Sequence, residues 1–382
     1  MDIERKFCDL VKNIHCESPV LLHRPVFLGN EVDYLSDCIT SNYVSSVGAR
    51  VIEFEELIAN FVGAQRAIAC VNGTSALHVA LHTMGVGSGT QVLTQALTFV
   101  ATANAISFCG AEPLFIDVDI DTFGMSPESL RVWLEANVRS EGKRLINKNN
   151  GKEIIACLPM HTFGLPCRIK EISSICNEYG IVLIEDAAES LGSSFQDSHT
   201  GTIGKIGTFS FNGNKIITTG GGGMVVTNDE QLADRIKHLT TTAKRPHQYE
   251  YYHDEIGFNY RMPNVNAAIG VAQMENFTEI LMAKEKLAKI YSDFFAESTI
   301  KFACPIDEAK TNYWLNAIIL NNRVDRDNFL KITNDNNIMT RPIWNLISDL
   351  PMYVNCEHDG LANSKWLVDR VINIPSSVPM KG

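Results

Sequence analysis

The chain has 382 residues, of which 45% are hydrophobic and 20% charged, with a formal net charge of −11. That length excludes a mini-domain, and the balance means the chain need not be disordered and can bury a sizeable core in two domains or in one large domain with an appendage. The acidic balance argues against a general nucleic-acid or membrane-surface binder, because polyanions attract basic faces; a small phosphorylated ligand held by a few local cations stays open.

The opening MDIERKFCDL lacks the apolar stretch and small-residue cleavage site of a secretory leader, and no later segment has the length to span a bilayer. Ten cysteines are scattered without a C-x-x-C pair, and Cys70, Cys109, Cys157 and Cys176 sit in apolar runs. This usage fits buried thiols in a reducing compartment, so a cytoplasmic location and no structural zinc are expected.

From Ala67 to Asn228 short β-branched runs alternate with helical spacing of apolar residues, the rhythm of βα units that build a mostly parallel sheet. Strands are predicted at Ala67–Val71, Gln91–Thr94, Pro113–Asp117, Ile154–Pro159, Ile181–Glu185, Gly207–Phe211 and Gly223–Thr227. Helices are predicted at Thr74–Met84, Thr98–Phe108, Pro127–Asn137 and Ile169–Tyr179. The polar stretch Ser140–Lys152 reads as an exposed loop. After Pro263 the pattern predicts one long helix to about Tyr291, then less regular α+β sequence forming a smaller C-terminal domain.

Three segments carry chemistry. In Val71-Asn72-Gly73-Thr74-Ser75 a strand end passes through a glycine into hydroxyl residues that open a helix, a place where free N–H groups and the helix dipole attract a phosphate. Taken alone, it also fits an ordinary Thr N-cap. In Ile181–Glu189 an apolar run ends in Asp186, which can hold a protonated ring nitrogen or simply cap the next turn. Such a pair at about 4 Å is worth roughly 4 kcal/mol before desolvation at an effective dielectric near 20. In Gly207–Gly223 a lysine, Lys215, lies between a strand and a four-glycine run. Most lysines are solvated surface charges, but these glycines permit close approach of a ligand, and neither G-x-x-x-x-G-K-[ST] nor a strand followed by G-x-G-x-x-G fits here.

Together the segments NGTSALHVAL, EDAAESLG, TFSFNGNKIITTGGGGM and GFNYRMPNVNAAIG, in that order, resemble the DegT/DnrJ/EryC/StrS family of pyridoxal 5′-phosphate (PLP)-dependent nucleotide-sugar aminotransferases. The likeness runs from Phe27-Leu-Gly to Ile374-Pro-Ser-Ser. It implies the α/β, three-layer PLP-transferase fold shared with aspartate aminotransferase, with a large PLP-binding domain over 1–260 and a small one over 261–382. Carried across residue by residue, Lys215 matches the Schiff-base lysine and proton shuttle, and Asp186 the carboxylate on the pyridine nitrogen. Gly73, Thr74 and Ser210 match phosphate-binding positions, and Phe99 matches the aromatic that stacks on the ring.

Asn259 matches a residue reaching the neighbouring subunit's cofactor phosphate, which implies a homodimer with shared active sites. Glu189 stands where many members have Gln or His near the ring hydroxyl, so its role departs from the common pattern. On the substrate side, Arg341 resembles a family arginine, Lys244 and Arg245 are looser candidates, and His161 is placed in the cleft or in a structural role. The resemblance implies L-glutamate as amino donor and a nucleotide-linked keto sugar as acceptor. Within the family the wording around Phe27 and EDAAESLGS is similar to enzymes that aminate C4 of a UDP-4-keto-6-deoxy-N-acetylhexosamine. Two alternatives keep part of this picture: a PLP- or PMP-dependent sugar dehydratase, in which histidine replaces the lysine in the best-known examples, and a non-catalytic sensor, which would tolerate loss of Lys215 or Asp186.

Overall fold

The computed structural model describes residues 3–379. Helices α1 (Ile3–His15), α2 (Glu31–Thr40) and α3 (Ala49–Val62) lead into strand β1 (Arg66–Cys70) and helix α4 (Gly73–Thr83). Strand β2 (Thr90–Gln95), helix α5 (Val100–Phe108), strand β3 (Glu112–Ile116) and helix α6 (Pro127–Asn137) follow. Next come strands β4 (Val138–Glu141), β5 (Arg144–Asn147) and β6 (Glu153–Leu158), helix α7 (Ile169–Tyr179) and β7 (Val182–Asp186). Two-residue strands β8 (Ser194–Phe195) and β9 (Ser198–His199) precede β10 (Ile206–Ser210), β11 (Gly223–Thr227) and α8 (Glu230–Thr240).

Apart from β8 and β9, which pair with each other, these strands form one sheet in the order β1-β11-β10-β7-β6-β2-β3, with the β4–β5 hairpin attached to β6. Pairing is parallel from β10 through β7, β6 and β2 to β3, and β11 runs antiparallel to both β1 and β10. Apolar residues fill both faces: Ile68, Leu77, Val92, Ile184 and Val225 pack in one buried cluster, Leu93, Leu114, Cys157 and Leu183 in another. A sheet covered by helices on two sides needs strands that are apolar throughout, and this is what the β-branched runs supply.

Two expectations give way. Residues 140–152 are not a loop throughout, because Val138–Glu141 pairs with Arg144–Asn147 in a hairpin closed by Gly142 at φ 65° and Lys143. A two-residue Gly-X turn matches the twist of the flanking strands, while the outward strand is so polar that no alternation marks it. The helix after Pro263 is two helices, α9 (Asn264–Glu275) and α10 (Phe277–Phe295), separated at Asn276. The first is packed by α2 and α3, with Ala267, Ala268, Gly270 and Val271 buried, while the second, past Ile280, presents Leu287, Tyr291 and Phe295 to a different core.

Beyond α10, strands β12 (Lys301–Phe302), β13 (Ala309–Lys310) and β14 (Asn316–Ile319), helix α11 (Arg323–Asp335), strand β15 (Arg341–Pro342), helix α12 (Ala362–Val368) and β16 (Val371–Ile374) complete the chain. An antiparallel sheet of order β12-β14-β16-β15 forms here. Its core includes Phe7 and Val11 of α1 beside Tyr291, Phe295, Phe329 and Ile372, so the start of the chain shares a core with its end. Among the described residues no helix is long and apolar enough to cross a membrane.

Candidate active site

The carboxyl ends of parallel strands expose unpaired N–H groups and helix starts, which is where open α/β sheets bind ligands. Here the residues following β1, β2, β7 and β10 meet segments of the second sheet around a cavity of about 810 Å³. Gly73, Thr74, Phe99, Asp186, Glu189, Ser210, Lys215 and Arg341 all line it.

At one side helix α4 begins. Asn72 caps it, its side chain accepting the Ser75 N–H at 2.7 Å. A Cβ at Gly73 would stand 2.8 Å from that of Ser210, so glycine is what lets the helix start close against the Ser210 hydroxyl. The result is a cradle of backbone N–H groups and hydroxyls suited to a phosphate.

Below it lies Asp186, 2% exposed at the end of β7. Its carboxylate accepts one hydroxyl bond from Thr102 at 2.7 Å and the Ala188 N–H at 3.2 Å. Burial nevertheless pushes its pKa up. A buried carboxylate under-supplied with donors fits a cationic ring nitrogen.

The turn 212–215 projects Lys215 into the same space. Its Nζ lies 3.1 Å from Glu189 Oε1 and 4.0 Å from the centre of the Trp314 ring. Glu189 is fully enclosed, with the Phe163 N–H donating to Oε2 at 2.9 Å, and desolvation pushes its pKa up to about 7 against the pull of Lys215. Trp314 is tied at three points: its N–H to Asn312 Oδ1 at 2.8 Å, its indole N–H to the Asn214 carbonyl at 2.7 Å, and its carbonyl to the buried Lys284 amine at 2.8 Å. The indole thus fixes both the turn that carries Lys215 and one side of the amine.

Phe99 is half exposed at the cavity wall, with its ring 6.3 Å from Trp344. Arg341 is exposed and uses Nη1 on Asn334 Oδ1 and the Thr340 carbonyl, at 3.0 and 2.9 Å.

Four candidates lie elsewhere. His161 is fully buried and does not line the cavity; its Nε2 pairs with Glu185 at 3.0 Å while Nδ1 accepts the Cys167 N–H, which is a structural arrangement. Asn259 is exposed in the segment whose Tyr260 carbonyl accepts the Val71 N–H, outside this chain's cavity. Lys244 stacks on Tyr251 and Arg245 pairs with Asp254, both away from the cavity lining. Trp314, Trp344 and Asn373 line the cavity without having been marked by any motif.

A phosphate cradle, a buried carboxylate lacking a countercharge and a lysine amine, set at the carboxyl ends of one sheet, define the class: a PLP-dependent enzyme of the aspartate-aminotransferase fold. Residues 28–382 match the family described as the DegT/DnrJ/EryC1/StrS aminotransferases. The chain is 37% identical to a GDP-perosamine synthase of Vibrio cholerae, over 93% of each protein. It is 34% identical to the GDP-perosamine synthase of Caulobacter vibrioides, over 91% of this chain and 90% of that one. A solved DegT/DnrJ/EryC1/StrS aminotransferase from Brucella abortus superposes with a TM-score of 0.83 at 27% identity, covering 91% of this chain and 90% of that one. The chain belongs to the DegT/DnrJ/EryC1/StrS family and is a PLP-dependent sugar aminotransferase.

Proposed function

We propose that this enzyme moves an amino group from L-glutamate to the keto carbon of a nucleotide-linked sugar, working as a cytoplasmic homodimer in which Asn259 reaches the partner's cofactor phosphate. The observation that carries the reading is the contact of Lys215 with Glu189 and Trp314 in a cavity that also holds the buried Asp186. When bound, PLP supplies an electron sink for the charge left on carbon as a proton departs. In this reading Asp186 keeps the ring nitrogen protonated, and Gly73, Thr74 and Ser210 hold the phosphate. Phe99 covers a ring face.

Lys215 takes the proton from the α-carbon of glutamate and would pass it to the C4′ carbon of the bound cofactor, and it moves a proton in the opposite sense when the sugar is the substrate. Glu189 and Trp314 hold its amine in place between these transfers. Arg341 supplies a cation for an anionic substrate group at the opposite wall. The presence of both Lys215 and Asp186 supports transamination over the dehydratase and sensor alternatives.

For the acceptor, the sequence resemblance supports C4 of a UDP-4-keto-6-deoxy-N-acetylhexosamine. A GDP-linked sugar is the second reading, favoured by GDP-perosamine synthases that match over nine-tenths of the chain. The test is to incubate the PLP-loaded protein with L-glutamate and UDP-, GDP- or dTDP-linked 4-keto-6-deoxy sugars and to weigh the products. We expect 2-oxoglutarate and an amino sugar to form in equal amounts with one nucleotide preferred. Water loss from the sugar without 2-oxoglutarate would replace this reading with the dehydratase. Lys215→Ala should abolish both products and the visible absorbance that PLP acquires on the wild-type protein.

A further inference from the structure

Strand β16 reads Val371-Ile-Asn373-Ile374, a polar residue of poor strand propensity amid buried apolar neighbours. Asn373 is 4% exposed and lines the cavity, yet its Nδ2 is buried with no hydrogen-bond partner among the described residues. Leaving such a donor unpaired is costly, because its desolvation is not repaid by a hydrogen bond. Asn373 stands directly across from Arg341 in the antiparallel β15–β16 register, which puts the two side chains on one face of the sheet. The Arg341 contacts to Asn334 and Thr340 both use Nη1, and Nε and Nη2 have no partner among the described residues.

We propose that Asn373 is a substrate-binding residue that, with Arg341, holds an oxyanion of a bound substrate. A guanidinium edge and a neutral amide donor side by side suit a group with two or more acceptor oxygens, where the amide adds direction to the charge. Two such groups enter this cavity if it works as proposed above, on which this inference rests: a carboxylate of the amino donor and the diphosphate of the sugar nucleotide. The amide is unpaired in the free enzyme because its partner arrives with the substrate.

The test uses the PLP-loaded protein and three unreactive probes: glutarate for the donor, UDP and GDP for the nucleotide, with affinities measured by calorimetry. Asn373→Val keeps a strand-forming side chain and removes the donor, and Arg341→Gln removes the cation. Both substitutions should weaken the same probe, each by about tenfold or more, the usual worth of a hydrogen bond to a charged group. Loss on glutarate assigns the pair to the carboxylate, and loss on the nucleotides assigns it to the diphosphate. The melting temperature of N373V should equal or exceed that of the wild type, since no protein contact is lost.

Unchanged affinities in N373V, loss on different probes in the two variants, or a lower melting temperature in N373V would each overturn the proposal. A wild-type protein that binds none of the probes would overturn the reading of a glutamate donor and a UDP- or GDP-linked acceptor on which this inference rests.

Discussion

Glu189 sits against Lys215 and is only 3% exposed, so its ionisation is coupled to the fold as well as to the site. Its folded pKa of about 7 lies above the ordinary carboxyl range because burial disfavours the charged form. The folded state therefore binds more protons than the unfolded chain between about pH 4.5 and 7, and stability falls as pH rises through that window. Glu189→Gln removes the titration. In the PLP-free protein the stability gained by E189Q over wild type should be larger at pH 8 than at pH 5, by an amount on the order of 2 kcal/mol. Urea unfolding at the two pH values reads this directly, and an equal difference at both would show that the carboxyl titrates as an ordinary one.

Lys215, Asp186 and Gly73 were legible in the sequence because each lies at the end of a strand whose apolar run announces it. Trp314 and Asn373 were not, because they come from segments a hundred or more residues further along whose relation to Lys215 exists only after the second sheet packs against the first. His161 was misleading for a related reason. A histidine after a strand end reads the same whether it faces a cleft or, as here, pairs inward with Glu185.

At the scale of elements, the cofactor cradle depends on how tightly β11 packs behind the start of α4. A Cβ on Gly223 would lie 2.3 Å from the Asn72 carbonyl oxygen and 2.8 Å from the Gly73 nitrogen, both of them backbone atoms that cannot rotate away. Gly223→Ala should push the Asn72–Gly73 turn off Ser210, lowering PLP affinity about tenfold or more and stability by about 1–3 kcal/mol, the cost of overpacking. At Gly221 the same added carbon meets nothing within 4 Å, so Gly221→Ala should leave PLP affinity unchanged. PLP titration and thermal melting of the two variants check the contrast; equal losses would mean that the glycine run needs flexibility rather than space. The seven main strands and four of the helices were readable to within a residue or two because both faces of this sheet are buried, which makes each strand an apolar run between turn residues. The β4–β5 hairpin escaped because its outer strand faces solvent and carries Arg139, Ser140 and Glu141. The break at Asn276 escaped because α9, buried on most sides, has no stripe whose change of direction would mark where α10 begins.

For the molecule as a whole, desolvated histidines work against Glu189 as pH falls: burial lowers the pKa of His23 and His78 as well as that of His15 and His199. His15 is on the face of α1 that joins the C-terminal core, and its Nε2 is buried without a hydrogen-bond partner among the described residues. His199 accepts the Gly192 N–H on Nε2 at 2.7 Å, which requires Nδ1 to carry the proton donated to the Thr200 carbonyl and leaves the ring neutral. Desolvation lowers both to about 4. An unfolded histidine titrates near 6.5, so between about pH 6.5 and 4 the unfolded chain binds more protons, and stability is lost as pH falls through that window. By pH 5 His15 and His199 should each cost about 2 kcal/mol relative to pH 7, and the opposing gain from Glu189 is about the size of one of these losses. Net stability of the PLP-free chain should therefore decline on mild acidification, and His15→Leu should remove its own share of that decline while losing no side-chain hydrogen bond at Nε2. Unfolding midpoints at pH 7, 6 and 5 would show a shallower decline in H15L; parallel curves for variant and wild type would place the acid sensitivity elsewhere in the chain.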